Sequence, residues 1–256
     1  MVERLIEVQN ITKSFNGHKV INNISFTVNK GETLILLGKS GCGKTTLLKM
    51  INRLLESTSG TITINNQNIS LENPEQLRKN IGYVIQNIGL FPHYTVEQNI
   101  EIVPLLLKWE NEKRKKRVHE LMDLVGLSPK DFLNRYPHEL SGGQKQRVGL
   151  IRALASNPPI ILLDEPFGAL DPITRKEIQN EFKHLEALIN KTMILVTHDV
   201  FEAFYLGDRI CLMNEGGVEQ IGTPQELVFS PKSAFVKDFF KPHKEQLDLL
   251  TTYFKE

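Results

Sequence analysis

The 256-residue sequence is poor in cysteine: Cys42 and Cys211 stand alone, far apart and outside any metal-ligand spacing. A disulfide scaffold or a zinc finger is therefore not expected. Long apolar runs are also missing. The longest are Leu34 to Leu37, Ile160 to Leu163, and Leu105 to Leu107 after Pro104. A membrane-spanning helix needs about 20 mostly apolar residues, so no segment is expected to cross a bilayer. The opening, Met1-Val2-Glu3-Arg4-Leu5, has no apolar signal-peptide core, and the chain is expected to stay on the cytosolic side. An excess of one charge is lacking too. Lys and Arg number 31 against 30 Asp and Glu, a net charge of +1, which argues against a protein that coats nucleic acid. No internal repeat or low-complexity segment stands out.

What is present is an ordinary globular balance, with 40% hydrophobic and 24% charged residues. At roughly 150 residues per domain, the length fits one large domain or two small ones. Early β-type segments (Leu5 to Val8, Ile24 to Val28, Thr61 to Ile64) alternate apolar and polar residues, as half-exposed antiparallel strands do. Gly82 to Ile85 is a further short β-type segment. Thr33 to Leu37 is another early β-type segment. The later Ile160 to Leu163, Met193 to Val196 and Ile210 to Met213 are continuous apolar runs, suited to a buried parallel sheet. Helical periodicity separates them at about Lys44 to Leu55, Pro172 to Ile189 and Val200 to Leu206. This alternation predicts an α/β core. The stretch 87–157 reads as a helical insertion, with Thr95-x-x-Gln98 as a capping box and a basic run Lys113 to Arg117. That run is expected to be a solvated helix face. Thr223-Pro224 marks a further helix start, leading into a short helical tail to Glu256.

Three motifs carry chemistry. Gly38-Lys39-Ser40-Gly41-Cys42-Gly43-Lys44-Thr45 matches the phosphate-binding pattern G-x-x-x-x-G-K-[ST], between a predicted strand and a predicted helix. Its glycines let successive N–H groups face phosphate oxygens, and the next helix adds its positive end. Lys44 is expected to reach the β- and γ-phosphates, and Thr45 to ligate Mg²⁺. The apolar strand Ile160 to Leu163 ends in Asp164 and Glu165. Asp164 is a candidate Mg²⁺ carboxylate, and Glu165 a candidate base for the water that attacks the γ-phosphate. Finally, Leu140-Ser141-Gly142-Gly143-Gln144 places a helix-capping serine before two glycines with accessible N–H groups. This would be a second anion site about a hundred residues from the first. A two-fold dimer reconciles the two, each ATP held between one copy's phosphate loop and the other's Ser141 helix.

These residues, in this order, resemble the ATP-binding cassette (ABC) ATPase subunits, over nearly the whole chain. The resemblance implies a P-loop NTPase core of ABC type with an antiparallel β subdomain and a helical subdomain, all in one domain. The core would comprise about 1–86 and 158–222, the helical subdomain about 87–157 and the tail about 223–256. It further implies that Phe15 stacks on adenine and that Thr46 joins Gly38 to Thr45 in binding ATP. Gln86 would contact Mg²⁺ or the lytic water, His198 would sense the γ-phosphate, and Asp171 would lie in a loop crossing the dimer interface. Ser141, Gly142, Gly143 and Gln144 would meet the other copy's ATP. Lys39 stands where the family commonly has proline; it removes no backbone donor. Cys42 lies at the start of the loop's helix, and its alkylation is expected to block ATP binding.

Val84 to His93 and Asp164 to Arg175 resemble one subgroup, the glycine betaine, carnitine and choline importers, with relatives for proline or other amino acids. The likeness to this subgroup implies a peripheral, ATP-hydrolysing subunit on the cytoplasmic face of the inner (plasma) membrane. It would work as a homodimer with separate permease subunits and, indirectly, a solute-binding protein; no nucleic acid is expected. Members often carry a paired regulatory module after the ATPase, and with the sequence ending at Glu256 that sensing function is expected to be absent or to lie elsewhere. The rival readings are an importer ATPase for another small solute, an exporter ATPase, a non-transport ABC ATPase of DNA repair or translation, and a module using ATP only as a structural ligand.

Overall fold

The structure, a computed structural model, describes residues 3–86 and 88–253. Met1 and Val2 of the opening, Asn87 within the Val84 to His93 stretch and residues 254–256 of the expected tail lie outside the described residues. The chain divides into two compact units, Met1–Leu71 with Ile194–Glu256, and Glu72–Met193.

The first unit opens with β1 (Arg4–Phe15), β2 (His18–Asn29), β3 (Thr33–Leu37), α1 (Lys44–Ile51), β4 (Ser59–Ile64) and β5 (Gln67–Asn68). β1 and β2 are much longer than their apolar alternation suggested, because they carry on through irregularities. Their register shifts occur around Val8 to Lys13. Asn10 and Asn23 take positive φ there, 49° and 53°; asparagine tolerates that conformation better than most residues, and the extra residue bends the ribbon. The antiparallel sheet runs β2-β1-β4-β5. Its buried face holds Ile6, Val8, Ile11, Ile21, Ile24 and Val28. α1 is shorter than the Lys44 to Leu55 periodicity predicted. It stops at Ile51 because Arg53 turns to φ 48°, with its guanidinium held by Glu56 and the Ile69 carbonyl.

The second unit runs through α2 (Pro74–Lys79), β6 (Ile81–Val84), α3 (Val96–Leu106), α4 (Asn111–Leu124), α5 (Pro129–Phe132), α6 (Gly142–Leu154), β7 (Ile160–Asp164) and α7 (Pro172–Ile189). β6 pairs in parallel with β7, Val84 opposite Leu163. Every residue of β7 is buried, as an apolar run in a parallel sheet should be. α3 to α6 all fall between β6 and β7, where the helical insertion was expected. The Thr95 capping box forms as predicted: Gln98 N–H donates to Thr95 Oγ1, and the Gln98 side chain accepts from Thr95 N–H. Asn190 ends α7 in the left-handed conformation.

The chain leaves the second unit along β8 (Thr192–Thr197) and completes the first with α8 (Val200–Leu206), β9 (Arg209–Asn214), β10 (Gly217–Gly222), α9 (Pro224–Phe229) and α10 (Ala234–Tyr253). β3 lies parallel to β9, and β10 returns antiparallel to β9. The polar β10 was not anticipated, since its register comes from pairing rather than from apolar alternation. Thr223 caps α9 with Pro224 at its first position, as its sequence suggested. Among the described residues, no helix is long and apolar enough to cross a membrane.

Candidate functional site

In the first unit the phosphate-loop motif joins the buried strand β3 to α1. Gly43 precedes the helix at φ 102°, and a Cβ there would sit 2.5 Å from Ile21 Cδ1 and 2.9 Å from the Val20 carbonyl oxygen. Glycine is therefore required both by conformation and by space. No side chain caps α1, so its first N–H groups are left to loop, solvent or ligand. Lys44 is 4% exposed. Its ammonium donates to the Gly38 and Lys39 carbonyls at 2.7 and 2.9 Å and lies 3.9 Å from Cys42 Sγ. Burying an ammonium is costly unless its protons are satisfied, and the loop satisfies them by curling around it. Lys39, Ser40 and Gly41 are exposed, whereas Thr45 and Thr46 lie on the first turn of α1.

Cys42 is a free, buried cysteine. Phe15, at the end of β1, has a 42% exposed ring with the Lys13 ammonium 4.9 Å from its centroid. A core role for Phe15 is excluded by that exposure. His198 is exposed where β8 ends, next to Asp199, which accepts from the Phe201 and Glu202 N–H groups to cap α8.

The second unit gathers the other residues. β7 delivers Asp164, 3% exposed, at its last position. Tyr83 on β6 reaches it from the neighbouring strand, the hydroxyl 3.5 Å from Asp164 Oδ2. Burial and the adjacent Asp164 charge push the Tyr83 phenol above its ordinary range, which keeps it a neutral donor toward the carboxylate. Glu165 leaves the strand at φ 45°. A glutamate in the left-handed region is uncommon and is held by its surroundings; here the Gly168 N–H donates back to its carbonyl at 3.2 Å. Gln86 is exposed after β6, and its Nε2 donates to Glu165 Oε2 at 3.2 Å. Two residues 79 positions apart in sequence are thus brought together at adjacent strand ends.

Ser141 caps α6 through the expected box: its hydroxyl accepts from Gln144 N–H, and the Gln144 side chain accepts from Ser141 N–H. Gly142 is exposed as expected, but Gly143 is buried. A Cβ on Gly143 would lie 2.8 Å from Thr174 Cγ2, so this glycine serves the close approach of α6 to α7. Asp171 caps α7 by accepting from Thr174 N–H; the Thr174 hydroxyl, and after it this backbone N–H, hold its exposed carboxyl below the usual carboxylate range.

The basic run lies on α4, where three of its five members have partners within the unit. Lys113 stands over the Trp109 ring, Arg114 bonds Glu101, and Arg117 donates to the Leu154 carbonyl. Sequence reading missed Tyr83 and Arg152. Tyr83 becomes legible only from the β6–β7 register. Arg152 on α6 donates to the Ile88 and Gly89 carbonyls. Its nearest sequence signal is a position three turns beyond Ser141.

Among the described residues, no group of three or more His, Cys, Asp or Glu side chains could hold a metal. Within the second unit, the Asp164 carboxylate and the Gln86 carbonyl are hard oxygen donors of the kind that Mg²⁺ takes.

A strand, a glycine-rich loop with a buried lysine and a helix start define a P-loop nucleotide-binding domain. The chain matches the ABC transporter family over residues 21–168 and belongs to it. It is 53% identical over 236 residues, 92% of its length, to the glycine betaine/carnitine/choline transport ATP-binding protein OpuCA of Bacillus subtilis (strain 168). It is 50% identical over 240 residues to the osmoprotectant import ATP-binding protein OsmV of Salmonella typhimurium. The chain spans 62% and 63% of the length of these two relatives. Among solved structures, it resembles the dimeric post-hydrolysis state of the ATP-binding cassette MJ0796 bound to ADP and Pi. The TM-score there is 0.76 at 35% identity, covering 86% of this chain and 99% of that one. It also resembles cbiO1 from Clostridium perfringens, part of the ABC transporter complex cbiONQ, with a TM-score of 0.82 at 26% identity, covering 99% and 100% of the two chains.

Proposed function

We propose that this chain is the ATP-hydrolysing, energy-coupling subunit of an ABC importer for quaternary-amine osmoprotectants such as glycine betaine, carnitine and choline, or for related amino acids. The observation that carries the hydrolytic part is the Gln86–Glu165 hydrogen bond, next in chain to the buried Asp164. The names of the relatives support the solute class.

In this proposal Gly38 to Thr46 bind the ATP phosphates, and Lys44 exchanges the Gly38 and Lys39 carbonyls for phosphate oxygens. Phe15 stacks on adenine. Thr45, Asp164 and Gln86 are the protein oxygens for Mg²⁺, which when bound neutralises phosphate charge. Glu165 accepts a proton from the attacking water while Gln86 orients it. His198 contacts the γ-phosphate. Ser141, Gly142, Gly143 and Gln144 meet the ATP of a second copy, with Asp171 in the loop alongside. Closure is driven by the higher affinity of ATP for the closed dimer and passes to separate permease subunits, with a solute-binding protein delivering the solute. The chain would be peripheral on the cytoplasmic face of the inner membrane. Residues 87–157 would act as a helical subdomain within one ATPase domain.

Two measurements test this. The purified protein is expected to release phosphate from Mg·ATP; no release would leave a module that uses ATP only structurally. Deletion of the gene is expected to abolish uptake of at least one of labelled betaine, choline, carnitine or proline. Undiminished uptake of all four would assign the subunit to another solute.

A further inference from the structure

We infer that Arg152 is a positioning residue: it locks the turn that carries Gln86 onto the helix capped by Ser141. Gln86 stands in a turn where the Ile88 N–H donates to the Ile85 carbonyl at 2.9 Å. Arg152 grips the far side of the same turn. Its two terminal nitrogens donate to the Ile88 and Gly89 carbonyls at 2.6 and 2.7 Å. The guanidinium fork fits two carbonyls at once, which a lysine ammonium does not do with fixed geometry.

Two further observations show that this seat is built. Ile88 stands at φ 59°, a conformation β-branched residues avoid and one that persists only where surroundings impose it. One helical turn before Arg152, Gly149 leaves room for the Ile88 side chain: a Cβ there would lie 2.7 Å from Ile88 Cγ2. α6 therefore holds Ile88 with a glycine recess on one side and an arginine clamp on its carbonyl. Arg152 is half-buried, and burial lowers its guanidinium below the usual arginine value. The partners that meet its charge are these carbonyls.

The consequence is mechanical. α6 bears the Ser141 cap at its first turn and grips the Gln86 turn near its last. A shift of the helix when Ser141 engages a nucleotide therefore moves Gln86 relative to Glu165, its hydrogen-bond partner. This rests on the proposed role of Gln86 and Glu165 in hydrolysis.

The test measures phosphate release from Mg·ATP by the full chain for the wild type, Arg152→Met, Arg152→Lys and Gln86→Ala, and for Arg152→Met combined with Gln86→Ala. Arg152→Met is expected to lower kcat about tenfold while KM for ATP stays within about twofold. Arg152→Lys should recover only part of the loss. In the Gln86→Ala background, Arg152→Met should cause no further fall, because the residue it positions is gone. An unchanged kcat, or an equal further fall in that background, overturns the inference. If Arg152→Met does not fold, Gly149→Ala, whose Cβ presses on the Ile88 side chain, carries the same cycle with the same expected non-additivity. A wild type that releases no phosphate defeats the hydrolytic reading itself, an outcome distinct from any difference among variants.

Discussion

Asn99 illustrates how one side chain can set a loop. It is fully buried, accepts from the Phe91 N–H, and donates to the Phe91, Tyr94 and Thr95 carbonyls at 3.0 to 3.1 Å. The stretch Phe91 to Thr95 is thus tied to a residue on the helix that comes after it. Asn99→Leu keeps the volume but takes the side-chain partner from the Phe91 N–H and the Tyr94 carbonyl, at a cost of about 1–3 kcal/mol each where solvent does not replace it; the Phe91 and Thr95 carbonyls keep the Tyr94 and Asn99 N–H groups. The expected result is a loss of about 2–4 kcal/mol in a urea titration; an unchanged midpoint would show that solvent replaces the amide. Nothing in the sequence marked Asn99, since an asparagine in a helix ordinarily reads as a surface residue. The phosphate loop was legible because its chemistry is local: closely spaced glycines, one lysine and a strand on one side. The Tyr83–Asp164 and Gln86–Glu165 contacts were not, because they depend on strand register across about eighty residues.

At the level of elements, α6 is the most heavily constrained. Its first turn is closed by Ser141 and Gln144, and Gly143 lets α7 approach. Arg147 donates to Glu181 on α7 at 2.6 Å and also reaches the Val125 carbonyl at the end of α4. The proposed dimer requires the exposed Ser141 end to stay accessible to a second nucleotide. Ser141→Arg is therefore expected to leave nucleotide binding by the monomer intact and to abolish ATP-dependent dimerisation, as read by light scattering with the Glu165→Gln background slowing turnover. Persistent ATP-dependent dimers would contradict the shared arrangement. Strong periodicity placed both ends of α7 from sequence, and the caps at Thr95 and Thr223 placed the starts of α3 and α9. β10 and the long extensions of β1 and β2 could not be placed, because pairing and bulges rather than side-chain pattern define them.

Across the whole molecule, the shortage of cysteine has a consequence at high pH. Cys211, fully buried on β9, has its thiol pushed up to about 12 by burial, against an ordinary value near 9. The Tyr83 phenol is raised as well. Both groups ionise more readily in the unfolded chain, so the unfolded state binds fewer protons and stability falls as pH rises from about 9 toward 12. For Cys211 this amounts to about 1 kcal/mol by pH 10. Cys211→Val should flatten that part of the dependence in urea titrations at pH 8 and 10; an unaltered slope would show that the thiol does not titrate as its burial demands.

The central claim is that Glu165 takes the proton from the water that attacks ATP. Phosphate release by the wild type and by Glu165→Gln, measured beside nucleotide binding by each, tests it most directly. The amide keeps the shape and the contact with Gln86 but cannot act as the base. Phosphate release is expected to fall at least about a hundredfold while ATP binding is retained. Turnover within a few-fold of wild type, with both proteins folded and binding ATP, would contradict the assignment.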